Sequence, residues 1–246
     1  MKGIGPLIAI AAVAVAALLV AEGVYFNVFI GQSVDKEELA KELEVIKAVN
    51  KVEAVKRGLP YALYYSFSQA AYKVLKTGGY SSLENVETVG SIPVWKNKDK
   101  TSYPDYSNNI SSQASYIFGQ YSQSSEEVKT PRGEIEIEFF EDRIKLKFSS
   151  SGLLSYESEL VKVNDNPNTT TEVKTKIEKM FELGKQIAES TTCDESKSYD
   201  KDDLNVEIEK IDNSVLVKIE DPENAFPVYD GQQLYKNLVL QFYVSC

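Results

Sequence analysis

The chain contains no histidine, and its 246 residues include two cysteines, two methionines and a single tryptophan. Without histidine there is no Ser-His-Asp triad, no imidazole general base and no histidine-ligated metal. Cys193 and Cys246, far apart in sequence, cannot make a zinc site by themselves. Basic charge is also short: 27 Lys and Arg face 37 Asp and Glu, a net charge of −10. A nucleic-acid partner needs a basic patch to meet its phosphates, so none is expected. No lysine or arginine cluster offers a surface for anionic lipid either. The phosphate-binding and nucleophile-elbow motifs G-x-G-x-x-G, G-x-x-x-x-G-K-[ST] and G-x-S-x-G do not occur. Serines and lysines abound, yet nothing places a Ser–Lys nucleophile. The chain does not read as an enzyme, and no cofactor or metal is implied. The acidic run Asp194-Glu195 with Asp200, Asp202 and Asp203 lacks the glycine and terminal glutamate of a calcium loop and reads as solvated.

Charge is absent altogether from Ile4 to Ala21, and after Glu22 the chain stays apolar to Ile30. As one helix, Ile4 to Ile30 would span roughly 40 Å, against about 30 Å of bilayer hydrocarbon. The rival reading is a removed secretory signal, which would want a longer basic lead, a shorter apolar core and an A-x-A site. Residues 1–31 are therefore expected to form a retained transmembrane or filament-core helix, in contact with membrane lipid. Lys2 and the amino terminus lie ahead of it, and the net-acidic VDKEELAKE follows. The positive-inside bias puts the N-terminus in the cytoplasm and residues 32–246 outside, at the cell surface. Asn109-Ile110-Ser111 and Asn168-Thr169-Thr170 are N-glycosylation sequons, consistent with that side. A Cys193–Cys246 disulfide would suit it as well, closing a loop worth roughly 4 kcal/mol in the chain-entropy picture. Two free thiols are the alternative.

The lead Met1-Lys2-Gly3 followed by IGPLIAIAAVAVAALLVA resembles the N-terminus of archaellins and type IV pilin-like proteins of archaea. The resemblance covers about the first 25 residues. It implies cleavage after Gly3, and a helix that bundles with copies of itself as a filament core while the C-terminal domains face outward. The three-residue lead is shorter than that family's pattern. Gly5, Ala9, Ala12, Ala16 and Gly23 form a stripe of small residues that would let such helices approach closely. The implied function is a filament subunit, a homo-oligomer with an acidic ectodomain exposed for adhesion or subunit contacts. The alternative is a lone membrane-anchored ectodomain acting as a binding or accessory module.

Beyond residue 31 the pattern predicts an α+β domain with one antiparallel sheet and two to three packed helices. Two helices are expected within 32–79, separated at Gly58 and Pro60, the second ending at Gly78-Gly79. Tyr61, Tyr64, Tyr65 and Tyr72 on it read as packing aromatics with hydroxyls at the rim, or else as a binding face. Residues 80–130, rich in Ser, Asn, Gln and Tyr, read as an irregular surface excursion with one strand-like piece around Trp95. In 131–246 the alternation of Ile135, Ile137, Phe139 and Ile144, Leu146, Phe148 predicts a hairpin, with a third strand at Leu153–Val163. Its outward face sets Glu134, Glu136 and Glu138 against Arg143, Lys145 and Lys147. A helix is expected over TTTEVKTKIEKMFELGKQIAESTT. A second hairpin turns at Asp212-Asn213-Ser214, and Leu238–Val244 reads as a central strand.

Overall fold

The computed structural model describes residues 36–98, 100–122, 127–191, 197–229 and 231–245. The chain divides into two compact units, one comprising Met1–Asn50 and Glu157–Val163, the other Lys51–Tyr156 and Asn164–Cys246.

The helix α1, Lys36–Lys76, is continuous through Pro60, where the sequence predicts a break. Proline in a helix interior costs about 3 kcal/mol. Here Leu59, Leu63 and Phe67 on either side of it are buried, which offsets that cost and carries the helix through. The helix closes on Gly78 and Gly79, both at positive φ. Gly79 N–H donates to Val74 O (2.8 Å) and Gly78 N–H to Leu75 O (2.9 Å), the paired bonds of a Schellman cap.

The excursion expected at 80–130 is structured. Strands β1 (Thr88–Val89), β2 (Ile92–Asn97) and β3 (Lys100–Thr101) lead into a second helix, α2 (Tyr106–Ser122). Asp105 caps α2, its carboxylate accepting from Asn108 N–H at 3.2 Å. Ile110, Ala114, Ile117 and Phe118 form its buried stripe. The hairpin β4 (Glu134–Phe139) and β5 (Arg143–Ser149) pairs Glu136 with Lys147 and Glu138 with Lys145. Those side chains approach to 3.1 Å and 3.9 Å, whereas Arg143 turns to Asp142 at 3.6 Å. The next two strands, β6 (Leu154–Glu157) and β7 (Lys162–Asp165), make a separate two-stranded sheet. The hairpin's third strand is instead β8 (Thr169–Lys174), and the helix expected from residue 169 starts only at Ile177, as α3 (Ile177–Ser190). The threonine run Thr169–Thr171 favours the strand by its β-branching.

Strands β9 (Lys197–Lys201), β10 (Leu204–Ile211), β11 (Ser214–Tyr229) and β12 (Gln233–Ser245) complete a seven-stranded sheet. Its order is β1-β2-β12-β11-β10-β9, with β3 on β2. β12 lies between β11 and β2, pairing antiparallel with the first and parallel with the second. Packed on this sheet, α3 buries Met180, Phe181, Gly184 and Ile187.

The expected fold class is therefore corrected. The strands form three sheets, the largest of them mixed, in place of one antiparallel sheet. Among the described residues no helix is long and apolar enough to cross a membrane. The helix expected over residues 1–31, with Gly3, Gly5, Ala9, Ala12, Ala16 and Gly23, lies outside the described residues, as do Cys193 and Cys246.

Candidate functional site

Three elements of the larger unit converge on one open cavity. On α1, Ala62, Tyr65 and Gln69 stand at i, i+3 and i+7, which brings them to a single helix face. The end of α2 contributes Tyr121, and the last residues of β11 contribute Pro227, Val228 and Tyr229. The cavity measures about 280 Å³. Tyr229 is 68% exposed at its mouth and Tyr121 47%. Val228, beneath them, is buried.

Gln69 is the polar feature of this wall. Only 8% of it is exposed, and its side-chain amide has no hydrogen-bond partner among the described residues. Its neighbours behave differently: Ser66 Oγ donates to Ala62 O (2.7 Å) and Ser68 Oγ to Tyr64 O (2.8 Å). Both hydroxyls are thus satisfied within the helix. Among the described residues Thr175 Oγ1 is the one fully buried side-chain polar atom without a partner, so the Gln69 amide keeps access to the solvent of the cavity.

A second polar cluster is built for support. Asp221, fully buried where the β11–β12 register shifts, accepts from Lys176 N–H (3.3 Å), Glu223 N–H (3.2 Å) and Asn224 Nδ2 (2.9 Å). Lys176 immediately precedes α3, so this carboxylate sits at the positive end of that helix. Lys176 Nζ reaches Glu223 at 2.6 Å and the Asp203 carboxylate at 3.8 Å. Burial pulls the Lys176 ammonium down, but Glu223, Asp221 and Asp203 outweigh it and its pKa ends above the ordinary lysine value. Glu223 is held below the usual carboxylate range by its hydrogen bond from Lys176. Every carboxylate here is engaged by the protein itself, and no group of acidic, cysteine or histidine ligands able to hold a metal occurs among the described residues.

The two sequons occupy different settings. Asn109 lies in the first turn of α2, half-buried, its Nδ2 donating to Gly79 O at 2.8 Å. Asn168 is exposed just before β8, its Oδ1 accepting from Ser150 N–H at 2.9 Å. Asp202 and Asp203 form the tight turn between β9 and β10, both at positive φ.

The smaller unit carries an exposed apolar stripe. In α1, Leu39 (46% exposed), Leu43 (51%) and Ile46 (56%) follow one another at steps of four and three. The helical repeat puts them on the face opposite Ala48, which is fully buried. Of the tyrosines singled out in sequence, only Tyr65 lines the cavity, while Tyr64 packs edge-on to it and against Phe226. Tyr121 and Tyr229 could not have been placed beside it, because their adjacency depends on a helix and a strand end that local pattern does not bring together. No known protein family, curated protein or solved structure matches the chain.

Proposed function

We propose that this chain is a subunit of a cell-surface filament of the type IV pilin-like kind, associating with copies of itself through its N-terminal part. The observation that carries the reading is the exposed stripe Leu39, Leu43 and Ile46. Three large aliphatic side chains in line on an exposed helix face lose contact with water only when a partner covers them. Their 4-3 spacing is that of the seam between paired helices. In that register Glu42 and Lys47 flank the seam five residues apart, where a parallel, in-step copy would bring Glu42 of one chain to Lys47 of the next. Parallel packing is what a bundle of identical N-terminal segments requires. The uncharged sequence from Ile4 to Ala21, N-terminal to the stripe, supports the same reading.

The test is the association state of the full chain by light scattering and electron microscopy, beside the Leu43→Glu and Ile46→Glu variants. Multimers that dissociate in both variants, with circular dichroism unchanged, support the reading. A wild-type chain that stays monomeric overturns it and favours a lone binding or accessory module.

A further inference from the structure

We infer that the cavity between α1, α2 and the end of β11 is a binding site for a neutral carbohydrate. Its construction is independent of how the chain assembles. Three of its seven described lining residues are tyrosines, and none carries a charge, in a chain whose net charge is −10. That selects against ionic ligands and for a neutral one. Tyrosine rings present flat apolar faces with a polar edge, the surface on which the C–H face of a pyranose lies while its hydroxyls stay wet. A cavity of about 280 Å³ accepts one sugar ring and leaves room for the bond to the next.

Gln69 supplies the directional contact. Its amide has one acceptor oxygen and two donor hydrogens, no partner among the described residues, and a place in the cavity wall with 8% of the residue exposed. An amide so disposed accepts from one sugar hydroxyl and donates to its neighbour, matching a vicinal diol. Tyr235 widens the platform. It faces Pro227 across the β11–β12 pair, so both project from the same side of the sheet, and it is 71% exposed.

An extended peptide is the competing occupant, and the wall argues against it. A peptide added as a strand draws on main-chain donors and acceptors of the edge it joins. The β11 segment available here contains Pro227, which has no N–H to give.

The experiment is saturation-transfer NMR on the full chain with methyl β-D-glucopyranoside, N-acetyl-D-glucosamine and decaproline. Wild type is expected to bind at least one of the two sugars, and more tightly than decaproline. Gln69→Ala and Tyr229→Ala should each weaken that binding by at least about tenfold, since each removes a contact the ligand uses. Tyr229 is exposed at a strand end, so its replacement leaves the fold intact and keeps the test meaningful should Gln69→Ala disturb the helix. Tyr116→Ala, exposed on α2 away from the cavity, should leave binding unchanged. Absence of binding to both sugars, tighter binding of decaproline, or sugar binding unaltered in Gln69→Ala and Tyr229→Ala would each overturn the assignment.

Discussion

Trp95 lies face to face on Phe242, with ring centroids 3.9 Å apart and planes 6° from parallel. The pair joins β2 to the central strand β12, and the indole Nε1–H is satisfied by Gly78 O at 3.0 Å. Trp95 also stacks on Phe181 of α3, which in turn stacks on Tyr106 of α2 at 3.8 Å. Gly184 on α3 lets the helix settle against these rings: a Cβ there would come within 2.9 Å of Trp95 and 3.2 Å of Phe242. Neither ring can yield, being stacked and fully buried. Gly184→Ala is therefore expected to destabilise the fold by about 1–3 kcal/mol, despite alanine's better helix propensity. Urea unfolding followed by the emission of Trp95, the sole tryptophan, measures it directly. A variant as stable as wild type would show that α3 is free to shift.

What was legible in sequence was whatever depended on near neighbours. The Glu/Lys alternation of β4 and β5 set their pairing, because a two-residue period and a tight turn leave one register that buries Ile144, Leu146 and Phe148. Gly78-Gly79 marked the end of α1 for the same local reason. The helix α2 was hidden because Ile110, Ala114, Ile117 and Phe118 are diluted by serine, asparagine and glutamine. Only burial against the rest of the unit reveals that those four positions form a stripe. The choice of β8 over β6 as the hairpin's partner is a long-range competition that no local pattern decides. The cavity is less legible still, since Gln69, Tyr121 and Tyr229 lie on three elements that only the tertiary fold brings together.

Acid should weaken the larger unit through Glu223 and Asp165. Glu223 is held below its ordinary pKa by its hydrogen bond from Lys176, and Asp165 by its bond from Lys56, at 2.7 Å. In both, the unfolded chain binds protons at a higher pH than the folded one. Their stabilisation is thus complete above the unfolded carboxylate value of about 4 and is lost as pH falls through the lower folded value. Glu223→Gln should unfold at lower urea than wild type at neutral pH and match it in strong acid. A difference that persists unchanged at acid pH would place the effect in packing.

Alkali acts through Tyr106. Burial, reinforced by Glu178, Glu182 and Asp105, pushes its hydroxyl up to about 12. The folded protein keeps this proton when the unfolded chain has released it, so the stabilisation is whole below about pH 10 and disappears as pH rises through the folded value. Ultraviolet titration should show one tyrosinate transition near 12 that vanishes in Tyr106→Phe. The variant's stability should also fall less steeply than that of wild type between about pH 10 and the folded value. A titration in which every tyrosine ionises together near the ordinary value would contradict the placement of Tyr106 against Phe181.

Sugar attachment should discriminate between the sequons. Asn109 commits its Nδ2 to Gly79 O inside the first turn of α2, beside the cap that ends α1. Asn168 is exposed and uses its Oδ1, leaving the amide nitrogen on the solvent side of the β8 approach. Peptide mapping of protein from its native source should find any glycan on Asn168, with Asn109 unmodified. A glycan on Asn109 would require α2 to form after modification, and would refute the preference for Asn168.

The flanks of the exposed stripe allow a test of direction as well as of association. In a parallel seam Glu42 of one chain meets Lys47 of the next, whereas in an antiparallel seam like positions meet and Glu42 faces another Glu42. Glu42→Lys and Lys47→Glu each put like charges together in the parallel arrangement, and each should weaken association severalfold at low salt. The double variant restores opposite charges in reversed order and should recover wild-type association. In an antiparallel seam the single and double variants would leave the like-with-like contacts equally repulsive, so no recovery would follow. Sedimentation of the four full-length proteins at low and high salt therefore reads the orientation directly, and recovery in the double variant alone is the outcome that a bundle of parallel N-terminal segments demands.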